Sequence, residues 1–350
     1  MAKEVKSTYN AIGVMAGSSM DGLDVALMSF AKGLDWSFEI LRAKSFSYDQ
    51  SIYDLLAGAA DNDLKEQTRI DLLFGEWIAR KLLEFGVDEA ELVAVHGHTV
   101  IHKPKEGISW QLGSGKVIAE MTNATVISDF RTEDVNLGGQ GAPLVPVGDF
   151  QLFSSFDGCL NLGGIANVSI QKNGMAWDIC PCNQVLNFFA QKLGKEFDKN
   201  GEMARAGIDD SSWLEEIASN KYYDQQPPKS LPNQFIGRKL LDEVSPHGGL
   251  RTYTEFISNV AVGEISKFLP SGSRIFTTGG GAFNTFLLEK LNSNKKGLVF
   301  SVPDSLIVEY KEAVVFGFLG VLKLLNKVNV LASVTGASRD TSSGIIHYSK

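Results

Sequence analysis

Cysteine is scarce in this 350-residue chain, with only Cys159, Cys180 and Cys182. An odd and sparse set builds no disulfide framework, so a reducing, cytoplasmic setting is expected. Positive charge is in the minority: 33 Lys and Arg stand against 41 Asp and Glu, a net charge of −8. That weighs against a nucleic-acid partner, which needs a basic field. It leaves a nucleotide ligand open, because backbone N–H groups can hold phosphates without net positive charge. Long apolar runs are missing as well. The longest, 313–322, is far too short to span a bilayer and runs into Lys323, so no membrane partner is expected. The opening MAKEVKSTYN has no apolar core of a signal peptide. No low-complexity tract or Gly/Ser linker occurs. Hydrophobic residues at 44% and charged residues at 21% are ordinary globular values, which removes disorder and collagen-like structure.

Three common catalytic signatures are absent too. A Walker A loop ending at Gly115-Lys116 would need Gly at 110 and Ser or Thr at 117, where Trp110 and Val117 stand. No G-x-G-x-x-G follows a strand, and no G-x-S-x-G occurs. A classical dinucleotide site and a nucleophile-elbow hydrolase are thereby set aside.

What is present is a pattern that runs twice. At about 150 residues per domain the length suggests about two domains. Residues 9–16, 23–30 and 36–45 read as a strand meander, followed by helices near 49–60 and 64–85. A buried strand at 92–95, a helix at 116–121 and a strand at 124–128 complete the first pass. The order restarts with strands at 159–162, 168–171 and 175–179 and a helix from 182 or 183 to 193. Irregular and helical sequence follows, with a loop at PPKSLPN. A strand at 274–278, a helix at 282–291, a strand at 298–302 and a helix at 312–325 close it. This predicts an α/β duplication: one lobe from 1–135, with 330–350 packing back on it, and a second from 136–329. A ligand cleft between the lobes is expected.

Glycine-rich turns mark where chemistry belongs. Residues 13–24, GVMAGSSMDGLD, join two strands with glycines, hydroxyls and carboxylates. Glycine allows the positive φ that turns several N–H groups toward one point, and Ser18 and Ser19 add donors. Asp21 could hold a hydrated Mg2+ beside phosphates. The plainer reading is an ordinary hairpin turn. A matching turn, LGGIAN at 162–167, lies at the equivalent place in the second half. TTGGGAFN at 277–284 ends a strand and starts a helix, where orphan N–H groups and the macrodipole favour an anion. Three such turns suit a nucleotide better than any one does.

Among titratable residues, Asp178 ends a strand immediately before a helix. It reads equally as a general base or as a capping aspartate. Asp129 and Arg131 follow another strand and could orient a polyhydroxylated ligand, although a local ion pair is the plainer reading. His96 and His98 are expected to share one face of a strand. With only His102, His247 and His347 besides, no metal set is complete, and a polar, sugar-facing strand end is the better reading. Cys180 and Cys182 read as buried small residues.

These motifs, taken in order, resemble the anhydro-N-acetylmuramic acid kinase family. MAGSSMDGLDVAL is similar to that family's M-S-G-T-S-x-D-G-x-D signature. The likeness continues through HGHTVIHKP, ISDFRTEDVNLGGQGAPLVP, LNLGGIANVSI, the Asp178 segment, PPKS, TTGGGAFN, EAVVFGF and VTGAS, from Gly13 to about Ser338. The resemblance implies two ribonuclease-H-like lobes of the hexokinase and actin ATPase class. It implies hydrolytic opening of the 1,6-anhydro bridge of the sugar, coupled to phosphorylation of O6 by ATP with Mg2+, in recycling of a bacterium's own cell wall. Asp178 matches the catalytic aspartate. The nucleotide side would comprise Gly17, Ser18, Ser19, Met20, Asp21, Gly22, Leu23 and Asp24, then Gly163, Gly164 and Asn167, then Gly279, Gly280, Gly281 and Asn284. The sugar side would comprise His96, His98, Thr99, Asp129, Arg131 and Glu312. The partner implied is a small sugar, with neither nucleic acid nor membrane; a homodimer is left open.

The chain departs from the family pattern in places. Where the family reads D-T-G-P-G-N, residues 178–183 read DICPCN. His98 replaces the usual Gln, Ser114 the common Asp, and Ser18 the usual Thr. The alternatives are a kinase for another sugar, a nucleotide-binding regulator without catalysis or, more weakly, a nucleotide-dependent filament protein.

Overall fold

The computed structural model describes residues 7–17, 20, 22–231 and 235–349. The chain folds as two compact units, 1–152 with 310–350 and 153–309.

In the first unit, β1 (Thr8–Ala16), β2 (Gly22–Lys32) and β3 (Trp36–Ser47) form an antiparallel meander. β4 (Leu92–Val95) and β7 (Val126–Ser128) add in parallel on the other side of β1. The strand Ile345–His347 then caps β7 antiparallel. A separate hairpin, β5 (His98–Lys103) and β6 (Ile108–Leu112), lies between β4 and β7 in the chain. The sheet order is thus β3-β2-β1-β4-β7, with the C-terminal strand at the edge. One face, bearing Ile12, Val14, Leu23 and Val25, packs on Phe74, Ile78 and Leu82 of helix Leu64–Phe85. The other face receives helix Ser305–Leu324 unusually closely. A Cβ on Gly13 would overlap the Ala313 carbonyl, and one on Gly320 would lie 2.7 Å from Ala94 Cβ. Ala313, Gly317 and Gly320 form an i, i+4, i+7 stripe, so small residues on both elements let the helix backbone rest on β1 and β4.

In the second unit, β8 (Gly158–Leu162), β9 (Ile165–Ile170) and β10 (Met175–Pro181) form another antiparallel meander. β11 (Arg274–Thr278) joins β8 in parallel, and β12 (Val299–Ser301) joins β11. The order is β10-β9-β8-β11-β12, the same arrangement of first, second, third, fourth and fifth strands as in the first unit. The core lies under β8–β10, where Leu160, Val168, Trp177 and Ile179 pack with Phe189, Tyr253 and Ile257 from helices Asn183–Lys192 and Pro246–Ile265.

The unit boundaries fall at 152/153 and 309/310, whereas the sequence suggests 135/136 and 329/330. Residues 136–152 pair back into the first unit: Lys311 Nζ meets Asp149 Oδ1 at 2.7 Å, both side chains buried. Helix Ser305–Leu324 begins seven residues before the expected 312, because Asp304 accepts the Leu306 N–H at 3.0 Å and starts it earlier. The GGG turn enters a short 3₁₀ segment, Gly280–Phe283, before helix Thr285–Asn292. Hairpin β5–β6 gives little signal in the sequence, being short and half exposed.

Candidate active site

Unit two carries a polar row. Register places Asp178 beside Asn167, Asn167 beside Asn161, and Asn161 beside Thr278, so four strands bring four polar residues to one level of the sheet. Directly opposed residues share a face. Leu160 and Val168, one step away, point to the core instead. A bulge between Asp178 and Cys180 adds an unpaired residue to β10. Bulges re-aim side chains and occur next to active sites. Asp178 is half-buried, and burial raises its carboxyl pKa; the Leu231 N–H, 2.8 Å from Oδ2, opposes that rise. Thr278 Oγ1 is buried and has no hydrogen-bond partner among the described residues.

The glycine turns close around this row. Asn183 N donates to Gly163 O at 3.0 Å, and Cys182 N to Gly164 O at 2.7 Å, tying the 163–164 turn to the start of helix Asn183–Lys192. Gly279 has φ +81°, and a Cβ on it would lie 2.6 Å from Asn161 Oδ1 and 2.7 Å from Leu162 C. One on Gly281 would lie 2.7 Å from Leu162 Cβ, whereas Gly164 faces open space. At Gly279 and Gly281 the backbone is therefore gathered against Asn161 and Leu162 in a way no larger residue permits. Asn284 is committed otherwise: its Oδ1 caps the next helix by accepting the Leu287 N–H at 3.0 Å. Ile179, Cys180 and Cys182, which stand where the family has Thr, Gly and Gly, are wholly buried. The departure is absorbed in the core, and burial holds both thiols above their usual range, Cys182 at about 12.

Unit one carries a second polar cluster. Arg131 Nη2 and Nε lie 2.7 and 3.2 Å from His96 Nε2, and Nη1 donates to Gly141 O at 2.6 Å. A guanidinium can only donate, so His96 Nε2 is the acceptor and the ring is neutral with its proton on Nδ1. Burial, then the Arg131 charge, holds the His96 pKa well below the usual histidine range. Burial also brings Arg131 down to about 10, with Glu312 opposing, so it stays charged at neutral pH. Glu312 is solvent-exposed in crowded surroundings. The crowding raises its carboxyl pKa, and Lys311 and Arg131 oppose the rise. Asp24 Oδ1 accepts from Ser45 Oγ at 2.5 Å, and Ser45 Oγ lies 3.0 Å from Tyr310 OH.

The structure corrects several expectations. His96 and His98 do not share a strand. β4 ends at Val95, Gly97 turns the chain at φ +77°, and His98 opens β5. Asp129 and Arg131 do not form an ion pair. Asp129 sits at φ +56° and its Oδ1 accepts the Thr132 N–H at 3.2 Å, while Arg131 turns to His96. Leu23 is buried in the core, so its side chain offers a ligand nothing. Ser18, Ser19 and Asp21 lie outside the described residues; Gly17 and Met20 are joined by a Met20 N to Gly17 O bond of 3.3 Å, and Gly22 opens β2. His98 is buried and bonded to the Gly17 backbone, with its pKa lowered by burial. Thr99 follows it on β5, half-buried opposite Gln111.

A cavity of about 210 Å³ in the first unit is lined by His96 and Asp129 together with Asp71, Gln111, Ser114 and His347. The sequence points only to the first two. Among the described residues no group of three His, Cys, Asp or Glu could cage a metal ion.

The same five-strand order in both units, each meander meeting glycine turns and polar residues at its strand ends, defines a duplicated ribonuclease-H-like fold. Within that class, the family model for anhydro-N-acetylmuramic acid kinase matches residues 9–349, and this chain belongs to that family of phosphotransferases. It is 33% identical to the anhydro-N-acetylmuramic acid kinase of Synechocystis sp., covering 96% of this chain and 98% of that one. To the enzyme of the same name from Zymomonas mobilis it is 30% identical, over 97% and 99% of the two chains. The Nitrosomonas europaea enzyme gives 30%, over 96% and 99%.

Proposed function

We propose that this chain opens the 1,6-anhydro bridge of anhydro-N-acetylmuramic acid with water and phosphorylates O6 with ATP. The products are N-acetylmuramic acid 6-phosphate and ADP, which serve recycling of peptidoglycan. The observation that carries this reading is Asp178: half-buried, re-aimed by a bulge, and aligned with Asn167, Asn161 and the unpartnered Thr278 hydroxyl.

Asp178 acts as the general base. It takes a proton from water as the water oxygen bonds to C1. The C1–O6 bond breaks, O6 attacks the γ-phosphorus, and the bond to the ADP oxygen breaks. The proton taken by Asp178 returns to solvent. Most of the protein's contribution is alignment, since phosphoryl transfer is mainly positioning and charge stabilisation.

The glycine turns at 163–164 and 279–281 fit a nucleotide, because Gly279 and Gly281 let the backbone pack tightly on Asn161 and Leu162 while Gly164 leaves open space beside it for phosphates or a base. The Thr278 hydroxyl gives them a free polar group. The family signature at Gly17 to Asp24, which includes Ser18, Ser19 and Asp21, supports a role for this turn as a source of N–H and hydroxyl donors to phosphates. Asp21 is the carboxylate of this turn that would hold a hydrated Mg2+, which would supply positive charge to offset that of the phosphates. Asn284 supports this side as a helix cap.

Arg131, Glu312, His96, His98, Thr99 and Asp129 form the sugar side. Of its five N–H groups Arg131 uses three on His96 and Gly141, which leaves two for sugar oxygens. The cavity beside His96 is walled by the Asp71 and Asp129 carboxylates, so it suits a neutral amide or hydroxyl better than the lactyl carboxylate. Arg131→Met should therefore raise KM for the sugar at least about tenfold, the value of a lost charged hydrogen bond, with KM for ATP unchanged. Equal changes in both constants would remove Arg131 from the sugar side.

The direct test is incubation with ATP, Mg2+ and the anhydro sugar. Equimolar ADP and a phosphorylated reducing sugar are expected. Turnover only on a different sugar reassigns the substrate, and ATP binding without turnover on any anhydro sugar makes the chain a regulator.

A further inference from the structure

The loop 221–231 closes on Asp178 from three directions. Tyr222 OH donates to the Asp178 carbonyl at 2.7 Å. The Asp178 N–H donates to the Lys229 carbonyl at 3.0 Å, and the Leu231 N–H donates to Asp178 Oδ2 at 2.8 Å. The loop is itself fixed from beneath. Lys229 Nζ lies 3.3 Å from Glu264 Oε2, with side chains only 2% and 5% exposed, and 4.8 Å from the Tyr222 ring centroid. It also donates to the Tyr222 carbonyl at 3.4 Å. Glu264 stands on the last turn of helix Pro246–Ile265, where Lys267 bonds its other oxygen at 2.6 Å.

A lysine this deep cannot reach a phosphate. As a device for stability the pair is poor, because desolvating two charges offsets most of their attraction and an apolar pair would serve as well. What the pair does hold is geometry. It fixes both ends of the segment that presents the Tyr222 hydroxyl and the Leu231 N–H to Asp178.

We propose that Lys229, Glu264 and Tyr222 are positioning residues for the base, and that they make Asp178 Oδ1 the atom that takes the proton. The Leu231 N–H occupies Oδ2 and disfavours protonation there, while no donor among the described residues meets Oδ1. The inference rests on the reading of Asp178 as general base and adds which of its oxygens reacts and what holds it.

The test uses the full chain and three variants, Lys229→Met, Leu231→Pro and Tyr222→Phe, with pH profiles of kcat. Each should lower kcat by about 10- to 100-fold, the scale of a misplaced catalytic group. KM for ATP and sugar should stay within about twofold of wild type. The acidic limb should move to higher pH, because the contact that lowers the Asp178 pKa is weakened or lost. Tyr222→Phe removes one oxygen and keeps the ring beneath the ammonium; its shift should be smaller and of the same sign. A thermal melt confirms each fold, and Tyr222→Phe decides the matter where the other two do not fold. A wild-type acidic limb in the folded variants, with or without a fall in kcat, would overturn the inference. If Asp178→Asn keeps its turnover, the base reading itself has failed; if it is inactive while these variants keep the wild-type limb, only the positioning claim has.

Discussion

Asp178→Asn should abolish nearly all turnover while leaving both substrates bound. Loss of a general base costs at least about 100-fold in kcat. The amide keeps an oxygen for the Leu231 N–H and nearly the same volume, so the bulge and the loop at 221–231 survive. KM for ATP and for the sugar should change little, and calorimetry should show both binding. In the wild-type enzyme the base must be ionised, and burial raises its pKa. Activity should therefore fall on acidification through a value above the ordinary aspartate range of about 3.9. Near-normal turnover in the variant would remove Asp178 from the base role.

The second large effect is structural. Gly13→Ala should destabilise the first unit by about 3 kcal/mol, at the upper end for overpacking, because the new methyl group meets a backbone carbonyl and not a flexible side chain. For a unit of this size that lowers Tm by about 6–12 °C. The whole helix Ser305–Leu324 must move for the methyl to fit, and it carries Glu312 beside the Ala313 contact. Sugar binding should weaken along with stability. Gly263→Ala is the control: nothing lies within 4 Å of its new methyl group, and a helical Ala gains about 1 kcal/mol over Gly. A Gly13→Ala protein melting with wild type would show that the helix does not rest on β1.

Much of this was legible in the sequence where the signal is local. Strands β4 and β11 and helix Leu64–Phe85 follow their apolar periodicity to the residue. The repeated meander was legible because each copy pairs neighbours through short turns. Signals that depend on distant residues were not. Asp129 and Arg131 look like an ion pair until the positive φ at Asp129 separates them and His96, 35 residues earlier than Arg131, takes the guanidinium. Glu264 falls on the buried stripe of its helix, four and seven residues along from Ile257 being Ala261 and Glu264. A charge on an apolar stripe announces a buried partner, yet nothing local identifies that partner as the lysine of PPKS. The three residues that depart from the family pattern after Asp178 looked like changes in the site. They are core residues, and only burial distinguishes the two.

Central to the mechanism is water adding to the sugar carbon while the phosphoryl group goes to O6. Turnover in ¹⁸O-labelled water, with the product trapped at once by borohydride and analysed by mass spectrometry, tests this directly. One label should appear at C1 and none in the phosphate. Label in the phosphoryl group, or an unlabelled C1 oxygen in a phosphorylated product, would contradict it.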